Sequence, residues 1–143
     1  MTEIVIQAVS ALIIDPANRV LLIKRRNDPY RGYWSLPGGR VQTKESLFEA
    51  TAREVYEETS LNIQVIRLLG KQKISKLDHR AFEISIYFAQ MVGGSLQAAS
   101  DALEARWVNL AELDSLTLTP NLAAFLRKNL PEIATGLINH APE

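Results

Sequence analysis

The stretch that decides the fold is "LPGGRVQTKESLFEATAREVYEETSL", Leu36 to Leu61. It opens on a proline and two glycines and then crowds Glu45, Glu49, Glu54, Glu57 and Glu58 around Arg53. Phe48, Ala52, Val55 and Thr59 recur at i, i+4, i+7 and i+11, the period of a helix with one face toward a core. The helix is expected to start at Thr43 or Lys44 and to end near Thr59. An α-helix turns about 100° per residue, so Glu58 lies about 40° to one side of Glu54 and Glu57 about 60° to the other. Three carboxylates on one face repel one another unless a positive partner sits there. A hard divalent cation, which prefers oxygen ligands and retains water, suits such a face; a solvated acidic surface is the alternative. "PGG" reads as a tight turn whose glycines let the backbone approach a phosphate or metal closely.

Outward from this stretch the chain alternates strands and turns. Ile4 to Ile14 reads as a first strand and "DPANR", Asp15 to Arg19, as a turn. Val20 to Arg25 completes a hairpin. Residues 26–32 read as loop, and Tyr33 to Leu36 as a short strand. After the helix, Leu61 to Gly70 is a strand, 71–79 a polar loop and Arg80 to Val92 a long alternating strand. Residues 93–102 read as loop, Ala105 to Leu110 as a short strand and Ala111 to Leu116 as a small helix. A terminal helix follows, with Thr119 as N-cap and Pro120 at its first position. These elements predict an α/β fold, a mixed sheet covered by helices on both faces.

Composition sets the bounds. The 143 residues fit one domain, 1–143, with a frayed tail from about residue 131, and 47% of them are hydrophobic. Lys plus Arg and Asp plus Glu both number 16, for a net charge of zero. That balance argues against gripping nucleic acid through bulk charge but leaves room for a small phosphorylated ligand on a local basic patch. There is no cysteine, hence no disulfide, thiolate metal site or thiol nucleophile. The N-terminal segment has no basic n-region, and its longest apolar run is Ala11 to Ile14. No membrane span or targeting segment is expected, and the default location is the cytoplasm.

Gly39, Glu45, Arg53-Glu54, Val55, Glu57-Glu58 and Leu61 stand at the spacing of the Nudix signature, so the chain resembles the Nudix hydrolases. Ser60 replaces the signature's second glycine, a position that ends the helix at positive φ. Gln42 and Lys44 stand where an acid and a glycine are frequent. The resemblance implies a Nudix-type α/β/α sandwich with a mixed β-sheet between helices. It implies a Mg²⁺-dependent enzyme, Mn²⁺ being the alternative ion, that hydrolyses the phosphoanhydride of a nucleoside diphosphate linked to another group. ADP-ribose or a related sugar nucleotide is the expected substrate. An oxidised or ordinary nucleoside triphosphate is the alternative, and a non-catalytic nucleotide-binding module on the same fold is a second.

By the same resemblance, Glu54, Glu57, Glu58 and the Gly38 carbonyl hold the metal and Arg53 orients a glutamate. Glu45 pairs with the loop or supports the ligands. The general base is Glu57 or Glu58, or the later acid Glu104. Arg25, Arg26 and Arg40 are expected to meet phosphates. Tyr33 and Trp34 are candidates to stack on a base or sugar, and Asn121 lies where some relatives read a purine. The expected partner is a small nucleotide, with no nucleic acid and no membrane, and the protein is expected to form a homodimer as family members often do.

Overall fold

The computed structural model describes residues 2–75 and 78–134. Ten elements follow one another: β1 (Ile4–Ile14), β2 (Val20–Arg25), β3 (Trp34–Ser35), β4 (Gly38–Arg40), α1 (Leu47–Thr59), β5 (Leu61–Ser75), β6 (Arg80–Gly94), β7 (Ala102–Val108), a 3₁₀ turn (Leu110–Ser115) and α2 (Leu122–Ala134). The strands form one seven-stranded mixed sheet in the order β3-β2-β1-β6-β5, with β4 added to β1 and β7 to β2. Its centre is the parallel pair β1–β6, in register from Ile4 opposite Arg80 to Ile14 opposite Gln90. No helix among the described residues is long and apolar enough to cross a membrane.

Ala11 to Ile13 of β1 and Val20 to Ile23 of β2 are unbroken apolar runs, buried throughout because both faces of the sheet are covered there. Side chains alternate across a strand. Leu12, Val20, Leu22, Ile86 and Phe88 therefore join Leu122, Leu126 and Leu130 in a core on the α2 face. Their neighbours Ala11, Ile13, Leu21 and Ala89 pack with Val55 of α1 on the other. This is the expected sandwich of helices about a mixed sheet.

Several local expectations are corrected. The start of α1 is neither Thr43 nor Lys44 but the N-cap Ser46. Its hydroxyl accepts from the Glu49 N–H (3.0 Å), and the Glu49 carboxylate accepts from the Ser46 N–H (2.9 Å). This capping box satisfies two donors that a helix start leaves open, and it gives Glu49 a structural task. The buried face of α1 is Ala50, Thr51, Val55, Glu58 and Thr59, while Phe48 is half exposed and meets Tyr87 edge-on at 5.1 Å. The face is rotated because Glu58, not Phe48, turns inward.

The predicted loop 71–79 is largely strand. β5 continues to Ser75 opposite β6, and the Lys73–Glu3 (2.6 Å) and Lys71–Glu83 (3.8 Å) ion pairs accompany its polar end. α2 begins at Leu122 rather than at Pro120. Asn121, at φ 69°, supplies the carbonyl for its first i→i−4 bond, from Phe125 N–H, so Thr119 is not its cap. α2 also runs past residue 131 to Ala134; the rest of the expected tail lies outside the described residues.

α1 ends on Ser60 at φ 64°, ψ 14°, the left-handed conformation that the replaced glycine would favour, with its N–H bonded to the Tyr56 carbonyl. A side chain in this region costs roughly 1–2 kcal/mol. The compensating contact is weak, a 3.4 Å bond from the Ser60 hydroxyl to the Gln97 carbonyl. Ser60→Gly is therefore expected to stabilise the protein by about 1 kcal/mol and raise Tm by about 3–4 °C, measured by thermal unfolding. An unchanged or lower Tm would show that the hydroxyl bond outweighs the strain.

Candidate active site

The "PGG" segment is not a free turn. Gly38 and Gly39 belong to β4, paired antiparallel with Ser10 and Val9 of β1. Glycine is needed here for space, not for positive φ. A Cβ on Gly38 would overlap the Val9 carbonyl, and one on Gly39 would overlap the Glu54 carboxylate. The sheet thus brings a bare backbone edge against α1 at the turn that carries Glu54 and Glu58.

Glu58 is buried, with 3% of its surface exposed, and its Oε1 accepts a 2.8 Å hydrogen bond from the Gly38 N–H. Burial pushes its carboxyl up to about 8, against the Gly38 hydrogen bond, and the nearby charges of Glu54 and Asp101 add to the rise while Arg25 opposes it. Glu54 is raised too, by burial first, against the Arg53 hydrogen bond and charge, with Glu57 pushing it further up.

Arg53 ties the acidic face to its supports. Its Nε donates to Glu45 Oε2 (2.6 Å) and its Nη2 to Glu45 Oε1 and the Arg40 carbonyl (both 3.0 Å). Its Nη1 serves Glu54 (2.8 Å) and Glu57 (3.0 Å). The Glu45 carboxyl is held below the usual range, first by Arg53 and then by the Gln42 N–H that bonds it.

Arg53, Glu54 and Glu58 line a cleft of about 440 Å³ together with Ile23, Arg25, Arg26, Asn27, Gly38, Gly39, Arg40, Gln42 and Asp101. Of the residues expected at the site, Gly38, Arg25, Arg26, Arg40, Arg53, Glu54 and Glu58 meet there. Arg25 Nε donates to the Pro29 carbonyl (2.9 Å) and Arg26 Nε to the Ser100 carbonyl (2.9 Å), and Arg40 lies over the Phe82 ring at 5.2 Å. Glu57 stands at the rim, its side chain 43% exposed.

Two expected residues lie elsewhere. Trp34 is buried in the α2-side core with the Arg106 guanidinium 5.3 Å above its ring, because β3 packs that face inward. Glu104 is on β7, not in a loop, and pairs with Lys24 of β2 at 3.3 Å. The acid that does reach the cleft is Asp101, just before β7. Its Oδ1 accepts from Asn27 Nδ2 (3.0 Å), and its carbonyl accepts from the Arg26 N–H (3.0 Å). Its signal was the strand boundary: β7 starts at Ala102, three residues before the predicted Ala105, which moves Asp101 from mid-loop to the strand's entrance.

The NUDIX domain profile matches residues 6–132. The chain belongs to the NUDIX family. It is 44% identical to the ADP-ribose pyrophosphatase of Methanocaldococcus jannaschii over 105 residues, which cover 73% of this chain and 62% of that protein. It is 35% identical to the 8-oxo-dGDP phosphatase NUDT18 of Danio rerio over 69% of this chain and 30% of that protein. The NUDIX fold here also superposes on the MutT protein of Methanosarcina mazei with a TM-score of 0.78 and 26% identity, covering 94% of this chain and 98% of that one.

The donor set of this NUDIX site fits a hard cation. Glu54 and Glu58 bring carboxylate oxygens into a buried spot where their own charges are disfavoured, beside the backbone of Gly38. Among the described residues no three acids or histidines converge on one point, and Arg53 engages Glu57 at the rim.

A pH test of the electrostatics follows. The folded-state pKa of Glu58 lies above its unfolded value of 4.5, so the native state binds the extra proton between the two. With divalent ions chelated, stability should fall as pH rises from about 4.5 to about 8 and then level off. Added Mg²⁺ should flatten the slope, because a cation replaces the proton. Tm measured against pH with chelator and with Mg²⁺ checks this; identical slopes would remove the carboxylates from the cation site.

Proposed function

We propose that the chain is a Mg²⁺-dependent pyrophosphohydrolase that cleaves the phosphoanhydride of ADP-ribose or a closely related nucleoside diphosphate joined to a second group. The observation that carries this reading is the meeting of the buried Glu58 and the half-buried Glu54 with Arg25, Arg26, Arg40 and Arg53 in one cleft. In this reading Glu54 and Glu58, with the Gly38 carbonyl and Glu57 from the rim, hold the cation. When bound, it neutralises phosphate oxygens and acidifies a water. Arg25, Arg26 and Arg40 receive the diphosphate charge, and Arg53 keeps Glu54 and Glu57 aimed. In the same reading Glu57 or Asp101 takes the proton of the attacking water. The name of the Methanocaldococcus jannaschii relative supports ADP-ribose as the substrate.

A second reading, hydrolysis of an oxidised guanine nucleotide, is favoured by the name of the Danio rerio relative. A panel of ADP-ribose, other nucleoside diphosphate sugars, dGTP, 8-oxo-dGDP and 8-oxo-dGTP, assayed with Mg²⁺ and with Mn²⁺, separates the two. The expected result is the highest kcat/KM for ADP-ribose, with AMP and ribose 5-phosphate as products. Preference for an 8-oxo nucleotide would establish the second reading. No turnover on any of them, alongside tight nucleotide binding, would leave a binding module.

A further inference from the structure

The cleft offers a nucleobase no aromatic surface. Among its described lining residues Ile23 is the one apolar side chain besides the glycines, and none is aromatic. A nucleobase gains most from stacking its flat face on an aromatic ring. The loop of residues 26–33 next to the cleft carries two such rings, Tyr30 and Tyr33, with centroids 5.3 Å apart and planes inclined by 47°. They are 45% and 36% exposed.

The loop is bound to the cleft wall. Arg26 and Asn27 at its start line the cleft, as does Arg25 just before it. The Arg25 N–H donates to the Tyr33 carbonyl, the Gly32 N–H to the Arg25 carbonyl and Arg25 Nε to the Pro29 carbonyl, each at 2.9 Å. The Tyr33 N–H closes on the Tyr30 carbonyl at 3.0 Å. Tyr30 itself sits at φ 63°, where a bulky side chain is strained. Neither ring belongs to a core cluster: each keeps a third or more of its surface in water, and Tyr30 does so against a backbone penalty.

We propose that Tyr30 and Tyr33 form the platform on which the substrate's nucleobase stacks while the diphosphate lies in the cleft. The proposal rests on the pyrophosphohydrolase reading and deepens it. Every base has a π-face, so a platform that meets the base by its face ranks bases weakly. Discrimination among substrates then falls to the group on the far side of the diphosphate.

The test is calorimetric titration of the full chain, with Mg²⁺ present, by ADP and by methylenediphosphonate, a diphosphate mimic with no base. Tyr30→Gly suits the local φ, so it removes a ring without disturbing the loop; Tyr33→Leu removes the other. Each variant should weaken ADP roughly tenfold to a hundredfold, the span expected for losing one stacking partner. Both should bind methylenediphosphonate as the parent does, and Tyr33→Phe should bind ADP as the parent does. ADP, GDP and UDP should bind the parent with similar affinity. Parent-like ADP binding by both variants, or equal loss for both probes, would overturn the platform while leaving the pyrophosphohydrolase reading intact. A parent that binds neither probe would overturn that reading and the platform with it.

Discussion

Glu58→Gln is expected to lower kcat by about 10²- to 10³-fold while leaving the metal-free fold at least as stable as the parent. The two effects separate because the carboxylate does two things. Its Oε1 accepts the Gly38 N–H at 2.8 Å, and a glutamine oxygen can keep that bond. Its charge, by contrast, is a burden to the empty fold, since a carboxyl pushed up to about 8 is mostly protonated at neutral pH. Glutamine resembles that protonated form in shape and charge, so removing the charge relieves rather than strains the apo protein. A cation, however, binds only the ionised form. Turnover and Tm, each measured with and without Mg²⁺, check the prediction. Parent-level turnover would remove Glu58 from the cation site; loss of the fold would make its role structural.

Arg53→Lys is the second large effect, and its direction is opposite for stability. Arginine's planar fork makes five hydrogen bonds here, two of them a bidentate pair with Glu45. An ammonium is a point charge with three donors and cannot span Glu45, Glu54, Glu57 and the Arg40 carbonyl together. The partner carboxylates are half-buried, Glu45 and Glu54 each with 13% of the side chain exposed, so part of their charge would be left uncompensated. A loss of roughly 2–4 kcal/mol in stability is expected. Activity should fall about 10- to 100-fold, as when a group that orients a metal ligand is removed. Denaturant titration and steady-state kinetics measure the two. If stability falls and kcat/KM per folded molecule does not, the arginine only holds α1 to β4.

The sequence carried the architecture and the acidic face further than it carried the details. β1 and β2 were legible because their apolar runs are bounded by turn residues, and the sheet uses both of their faces. Ser60 was legible as the helix end, since the glycine it replaces points to a positive φ, and the observed φ is 64°. The start of α1 was not: Ser46 and Glu49 form the capping box, but Thr43 and Lys44 compete with them as polar residues ahead of the same apolar stripe. β4 was read as a turn because three residues are too short for any periodicity, and only the approach of β1 makes them a strand. The placing of Trp34 in the core and of Asp101 at the cleft escaped the sequence for a related reason. Whether an aromatic faces a core or a cleft, and whether an acid sits mid-loop or at a strand entrance, depends on pairing partners distant in the chain.

The parallel pairing of β1 with β6 also sets when the site can exist during folding. Ile4 meets Arg80 across 75 intervening residues, and β4 and its glycines hang on β1. α1 can form early from local contacts, carrying all its glutamates, yet Glu58 has no Gly38 N–H to meet until that ladder closes. Sheets built from such distant contacts assemble slowly compared with helices. Recovery of cation binding on refolding should therefore keep pace with the assembly of the sheet, and a chain that has made only its helix remains blind to metal.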